Sequence, residues 1–318
     1  MTKPAIYLIG DIGATFSRLA LFNLDTKNIS EVKFFENQKF SHLEEIIEKF
    51  LLEELKNFKS HPEGIVLGVA GPVLKNKVKI TNLGWDIEAN YLKKKFKFKR
   101  VILKNDLYLL AGAFEFLKKD NLRILKKGAG GRKYPKAFIS IGTGLGISFL
   151  ISKNPLKIAP SEGGHSPLSF CEEKSFLNFL KERKADLVWE AVLSGRGLEN
   201  LYEYYFGERK KAEEISEGAK KGLEKEVFII KKFFQLLGKK CYEVAVTIEP
   251  FGGIYLAGGV IKALIEFLDN EEISQIMLNN FYFSERLRNL LEQIPIYAIY
   301  HPFPALLGAM TILRSLLK

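Results

Sequence analysis

The chain has 318 residues, 47% of them hydrophobic and 27% charged, with a formal net charge of +11. That length is near the practical limit of a single core and predicts two lobes, while the composition is that of an ordinary globular chain and excludes a disordered or fibrous one. No apolar run approaches the ~20 residues that span a bilayer, and Lys3-Pro4 leads directly into a short strand rather than a signal peptide, so a cytoplasmic chain with no membrane partner is expected.

In chain order, β-rich runs at Ala5 to Ile9 and Leu19 to Asn23 bracket Gly10-Asp11-Ile12-Gly13-Ala14-Thr15. Strand, glycine turn, strand is a hairpin whose turn can leave backbone N–H groups available to an anion. Thr15 adds a hydroxyl donor. Glycines in such a turn ordinarily serve turn geometry, but Asp11 alters the reading, because phosphate repels a carboxylate unless a cation such as hydrated Mg²⁺ lies between them. A strand from Val32 to Glu36 and an amphipathic helix from about Ser41 to Phe58 follow, with Ser41 and Glu44 forming a capping box. A buried strand, Ile65 to Ala70, breaks at Gly71-Pro72, and a polar hairpin turns through Asn76. Trp85 precedes a helix ending near Lys95. The basic string Lys93 to Arg100 is read as a solvated helix end entering the strand at Val101, not as a nucleic-acid surface, because lysines elsewhere alternate with glutamates. That strand ends at Asn105-Asp106, where a helix through Leu117 begins; Asp106 is either its N-cap or a ligand-facing carboxylate at a strand C-terminus.

About 130 residues after the first glycine turn a second one recurs, Gly142-Thr143-Gly144-Leu145-Gly146, between the runs Ala137 to Ile141 and Ile147 to Ile151. Two such turns predict two clamps on one polyphosphate and hence a nucleotide-using enzyme. Neither fits the phosphate loop of Gly-x-x-x-x-Gly-Lys-Ser/Thr or the dinucleotide Gly-x-Gly-x-x-Gly opening a helix. A loop from Ala159 to Ser169 carries Glu162-Gly163-Gly164-His165, and helices cover much of Glu172 to Thr247. Cys171 and Cys241 lack metal-ligand spacing and are read as unpaired, which fits a reducing compartment. A strand at Gly252 to Ala257 runs into Gly258-Gly259 and a helix from about Val260; a late strand, Ile294 to Tyr300, and a closing helix, Pro304 to Leu317, complete the chain. Strands feeding helices in both halves predict an α/β architecture.

These strings in this order resemble the bacterial glucokinase family of the actin-like ATPase (sugar kinase) superfamily. The resemblance rests on Gly10 to Thr15, Ala70-Gly71-Pro72-Val73, Thr81-Asn82 with Trp85, Asn105-Asp106, Gly142 to Gly146, Glu162 to His165, Val192-Leu193-Ser194-Gly195 with Gly197-Leu198, and Phe251 to Gly259. It implies a two-lobed actin-like (ribonuclease H-like) α/β fold, with a cleft between a smaller domain, residues 1–110 plus 301–318, and a larger one, 111–300. The implied reaction is ATP-dependent phosphorylation of glucose to glucose 6-phosphate, by a homodimer that uses ATP and Mg²⁺ and binds no nucleic acid. Asn105, Asp106, Glu162, His165 and Glu190 are implied to line the sugar pocket, with Asp106 as general base. Gly10, Asp11, Gly13, Thr15, Gly142, Thr143, Gly144, Gly258 and Gly259 are implied to hold the nucleotide, with Asp11 reaching Mg²⁺ through water. Ala14 and Phe16 depart from the family pattern, which has glycine and asparagine there, and Phe16 is expected to face the cleft. The related ROK kinases carry a Cys-rich zinc motif that this chain lacks, so no structural zinc is expected. Another hexose or amino sugar as acceptor, or ADP or polyphosphate as donor, is compatible with the same motifs; a sugar-responsive repressor would carry an N-terminal helix-turn-helix.

Overall fold

The computed structural model describes residues 5–54, 61–129, 133–168 and 174–316. The chain divides into two units, Met1–Leu117 with His301–Lys318 and Lys118–Tyr300.

In the first unit β1 (Ile6–Ile12) turns back into β2 (Phe16–Asn23), which pairs with β3 (Lys33–Glu36), all antiparallel. The helix α1 (Leu43–Glu54) then carries the chain to β4 (Gly64–Val69), parallel to β1. All six residues of β4 are buried, the pattern of a central strand covered on both faces. A separate hairpin, β5 (Lys77–Ile80) with β6 (Trp85–Glu88), precedes α2 (Ala89–Lys95) and β7 (Arg100–Asn105), giving the sheet order β3-β2-β1-β4-β7. Helix α3 (Asp106–Gly112) leaves the end of β7, and the C-terminal helix Pro304–Leu316 packs on it so tightly that a Cβ on Gly308 would stand 1.7 Å from the Leu109 carbonyl oxygen.

Local departures from the sequence reading have simple causes. The first helix starts at Leu43, so the Ser41 amide donates to Glu45 Oε2 at 3.0 Å rather than to Glu44; residues 55–58 of that expected helix lie outside the described residues. Lys75 and Asn76 both have positive φ, the two-residue turn that matches strand twist, but Trp85 lies in a strand, buried opposite Ile80, before the helix begins.

The second unit repeats the pattern of the first. After the short β8 (Leu122–Lys126), β9 (Lys136–Ile141), β10 (Leu145–Ser152) and β11 (Lys157–Ser161) form an antiparallel meander. Helices α4 (Lys174–Glu182), α5 (Gly195–Phe206), α6 (Ala212–Lys220) and α7 (Glu224–Ile248) follow. The strand β12 (Ile254–Ala257) then runs parallel to β9 and leads into α8 (Gly259–Leu264). After α9 (Glu271–Phe281) and α10 (Arg288–Gln293), β13 (Ile296–Ile299) completes the order β11-β10-β9-β12-β13-β8. A three-stranded meander extended by parallel strands thus occurs in each unit, and each glycine motif joins the first two strands of its meander. The 25-residue α7 is the spine of the helical layer, with Ile229, Ile230, Phe233, Phe234 and Leu237 fully buried. Cys241 on the same helix is buried and free of a disulfide, and Cys171 lies outside the described residues. Among the described residues no helix is long and apolar enough to cross a membrane.

Candidate active site

In the first unit the candidate residues collect where β1, β4 and β7 end. Asp11 pairs with Gly68 and Ile12 with Val69, and Val69 pairs in turn with Asn105, so Asp11 and Asn105-Asp106 stand at one C-terminal edge of the parallel strands. Strand spacing is about 4.8 Å, which puts these groups within reach of one small ligand. The β1–β2 turn is Gly13-Ala14-Thr15, closed by the Gly13 amide donating to the Phe16 carbonyl at 3.1 Å. Among the described residues the Ala14 and Thr15 amides have no backbone acceptor. Ala14 is absent from the positive-φ residues, so alanine is unstrained there. Phe16 is 43% exposed and is not a core residue.

Gly10 lies within the strand that leads into this turn. It is an interior residue of β1, paired with Leu19 on one side and Leu67 on the other, and its missing side chain is a packing requirement. A Cβ there would meet the δ-methyls of these leucines at 2.5 and 2.6 Å. Asp11 is partly buried, and its carboxylate accepts from Arg18 Nη1 at 3.1 Å. Burial raises the Asp11 pKa above the ordinary carboxylate value, and the Arg18 charge and hydrogen bond oppose that rise.

Asn105 takes the cap of the helix that follows it. It is Asn105 that caps α3, accepting from the Leu107 amide at 3.0 Å while its own amide donates to the Gly71 carbonyl at 3.1 Å. Asp106 is the first helical residue, and its Oδ1 also accepts from the Leu107 amide at 2.9 Å. The helix sits close to β4 because residue 68 is glycine: a Cβ there would lie 2.8 Å from Leu109 Cδ1.

In the second unit Leu145, within the Gly142–Gly146 motif, meets both Glu190 and the Glu162–His165 loop. The Gly142-Thr143-Gly144 turn is closed by the Gly142 amide donating to the Gly144 carbonyl at 2.9 Å, and held from outside by the Gly195 amide donating to the Gly142 carbonyl at 2.9 Å. Among the described residues the Thr143 and Gly144 amides have no acceptor. Glu190, on the short 3₁₀ turn Trp189–Ala191, accepts from the Leu145 amide at 2.9 Å, and a Cβ on Gly144 would stand 2.5 Å from Glu190 Oε2. The Glu162–His165 loop, a 3₁₀ turn over Gly163–His165, lies on the other polar group of Leu145: a Cβ on Gly164 would be 1.9 Å from the Leu145 carbonyl oxygen. Glu162 and His165 themselves are exposed, flanking the buried Gly164. Gly258 has φ +99° and lies against Ile141, where a Cβ would meet the carbonyl oxygen at 2.2 Å, while beside it Gly259 opens onto empty space. Free amides and carboxylates, brought to one end of one sheet, can bind an anion and a polyhydroxylated ligand side by side.

The sequence reading missed three supporting residues. Arg18 is the partner of Asp11. Asn37 is fully buried and ties the first turn together, donating to the Gly13 carbonyl at 2.8 Å, accepting from Ser17 Oγ at 2.7 Å and, through its amide, holding the Thr15 carbonyl at 2.9 Å. Lys240, on α7, reaches the Gly163 carbonyl from beneath at 2.9 Å. A buried polar residue with long-range partners gives no periodic signal, and only Arg18, two residues along an alternating strand from Phe16, had a pattern that could have exposed it.

The glucokinase family model matches residues 8–316. A curated glucokinase from Colwellia psychrerythraea is 31% identical over 325 residues, covering 98% of this chain and 96% of that relative. Among solved structures, a glucokinase from an Antarctic psychrotroph superposes with a TM-score of 0.80 at 24% identity, covering 98% of this chain and 99% of its own. A Leishmania braziliensis glucokinase gives 0.81 at 20% identity, covering 99% and 94%. At these identities the structural likeness establishes the actin-like α/β fold.

Proposed function

Because the chain belongs to the glucokinase family, we infer that it transfers the terminal phosphoryl group of ATP to glucose, giving glucose 6-phosphate and ADP. The observation that carries this reading is the convergence on Leu145. Its amide is held by the Glu190 carboxylate, its carbonyl supports Gly164 of the Glu162–His165 loop, and it closes the Gly142–Gly144 turn. Groups suited to sugar hydroxyls and groups suited to phosphate oxygens are thereby fixed against one another.

Phosphoryl transfer to a hydroxyl demands positioning, charge screening and acceptance of one proton. Glu162, His165 and Glu190 in the second unit, with Asn105 and Asp106 in the first, are assigned to the sugar. Carboxylates accept from sugar hydroxyls, and two or more of them fix the ring's orientation as well as its presence. Asp106 takes the proton from the attacking 6-hydroxyl, a role typically worth about 10²- to 10⁴-fold. The Thr143 and Gly144 amides, and those of Ala14 and Thr15 with the Thr15 hydroxyl, are assigned to phosphate oxygens; Gly13 and Gly142 shape the two turns. Gly259, with open space at its Cα, and Gly258 let the adenosine approach the backbone.

Mg²⁺ suits this donor set. Among the described residues no three His, Cys, Asp or Glu side chains form a metal cluster. A single partly buried carboxylate, Asp11, matches an ion that keeps most of its waters and binds phosphate oxygens. When bound, the ion neutralises phosphate charge. Arg18 orients the Asp11 carboxylate and opposes the burial-driven rise of its pKa.

The test is a coupled assay of ADP release by the purified protein with Mg·ATP across glucose, mannose, fructose, glucosamine and N-acetylmannosamine, repeated with ADP and polyphosphate as donors. Glucose with ATP is expected to give the highest kcat/KM. The absence of sugar-dependent ADP release across this panel would overturn the assignment.

A further inference from the structure

Lys240 is one of the few charged residues the fold buries completely, with 1% of its side chain exposed. It stands on α7, among residues of the hydrophobic core. An ammonium has three donors, and Lys240 Nζ has three acceptors: the Gly163 carbonyl at 2.9 Å, Ser166 Oγ at 3.0 Å and Glu243 Oε1 at 2.6 Å. It also lies 5.2 Å from the ring centre of Trp189, the residue before Glu190. Burial lowers the Lys240 pKa and the Glu243 carboxylate opposes the drop.

Apart from Glu243 on its own helix, the groups it touches belong to the two segments assigned to the sugar. Gly163 and Ser166 bound the loop between Glu162 and His165, and Ser166 Oγ closes that loop on the Gly163 carbonyl at 2.8 Å. The Ser166 carbonyl accepts from the Trp189 amide at 3.2 Å, and Leu168 is bonded to Leu187, so the loop is laced to the segment entering Glu190. A buried ion pair is a poor device for stability, since apolar residues of the same volume are often as good or better. Its three-point geometry is a good device for fixing a backbone carbonyl in place. No other hydrogen bond among the described residues ties the Gly163–Ser166 loop to α7, apart from the one between Ser166 and Glu243 in the same cluster.

We propose that Lys240, with Glu243 and Ser166, is a positioning cluster that sets the Glu162–His165 loop relative to Glu190 and so governs sugar affinity. This deepens the glucokinase reading and rests on it for its functional part. The structural part, that Lys240 orders the loop, stands independently.

The experiment joins two readouts on Lys240→Met, on Ser166→Ala, which leaves the ion pair intact, and on the double variant Lys240→Met/Glu243→Gln, which leaves no lone buried charge. Hydrogen exchange followed by mass spectrometry is expected to quicken in peptides covering 161–168 and 188–194, with distant strands of the first unit unchanged. In turnover assays the KM for glucose should rise about tenfold, below the ~10²-fold penalty of an ångström-scale misplacement, while the KM for ATP moves less than about twofold. Unchanged exchange in those two peptides overturns the positioning role whatever the enzyme's substrate. Equal rises in both KM values reduce the cluster to general stability and equally overturn it. Failure of the glucokinase reading itself is recognised separately, by absence of glucose-dependent turnover in the unmodified protein.

Discussion

Gly164→Ala probes the join between the sugar loop and the phosphate turn at a single atom. The added Cβ would stand 1.9 Å from the Leu145 carbonyl oxygen and 2.8 Å from its carbon, against the 3.0 Å below which real Cβ contacts essentially do not occur. The neighbour is backbone of β10 and cannot rotate aside, so the loop must lift by about 1.1 Å. Gly164 is absent from the positive-φ glycines, so the penalty is steric and not conformational. Overpacking of this kind costs about 1–3 kcal/mol, which for a chain this long lowers Tm by roughly 2–12 °C. The functional cost should be larger than the structural one. An ångström of misplacement at a positioning group is worth about 10²-fold, so kcat/KM for glucose should fall by that order. Gly163→Ala is the control. Its Cβ would meet Ile147 Cδ1 at 3.0 Å and Ser161 Oγ at 3.1 Å, ends of side chains that can yield; it should stay within about 1 kcal/mol of the unmodified protein, since such groups relax easily. Differential scanning calorimetry and steady-state kinetics on both variants decide the matter. A Gly164→Ala protein with native Tm and native kcat/KM would refute the seating of this loop on Leu145.

Three further outcomes follow from the first unit. Arg18→Gln removes the charge that opposes the burial-driven rise of the Asp11 pKa, so the carboxylate protonates more readily and the acid limb of kcat/KM against pH should move to higher pH; a limb that stays put or moves down contradicts the pairing. Ala14→Gly places a glycine at a position without positive φ, and should lose about 0.4–1 kcal/mol through unfolded-state entropy; a gain in stability on urea denaturation would show hidden strain. Phe16→Asn, at an exposed position, should leave stability within about 0.5 kcal/mol of native, and a large loss on urea denaturation would contradict its exposed placement.

The glycine hairpins were legible because apolar runs of strand length flank them, and that alternation is imposed by the sheet itself. What lies across the strands was not. Gly10 and Gly13 look alike in a line of sequence, yet one is a gap for Leu19 and Leu67 and the other turns the chain. Glu190 reads locally as a solvated charge; its partner, the Leu145 amide, is 45 residues away. Asn37 and Lys240 are 24 and 77 residues from the carbonyls they hold, and a single buried polar side chain leaves no period to detect. The strands β8 and β11 are five residues each, at opposite edges of their sheet, with mixed burial and, in β11, a proline. Edge strands of that kind lack the apolar run that betrays a central strand.

The central claim is phosphoryl transfer to the sugar's 6-hydroxyl with Asp106 as base, and one paired measurement addresses it. Unmodified protein and Asp106→Asn are each incubated with glucose and Mg·ATP and followed by ³¹P NMR, with glucose affinity measured by calorimetry on both. The unmodified protein should accumulate a phosphomonoester at the 6-position in step with ADP. Asp106→Asn should bind glucose with similar affinity and turn over at least about 10²-fold more slowly, the usual minimum for loss of a general base. ATP consumed without a sugar phosphomonoester, or an Asp106→Asn rate within about tenfold of the unmodified protein, would contradict the account.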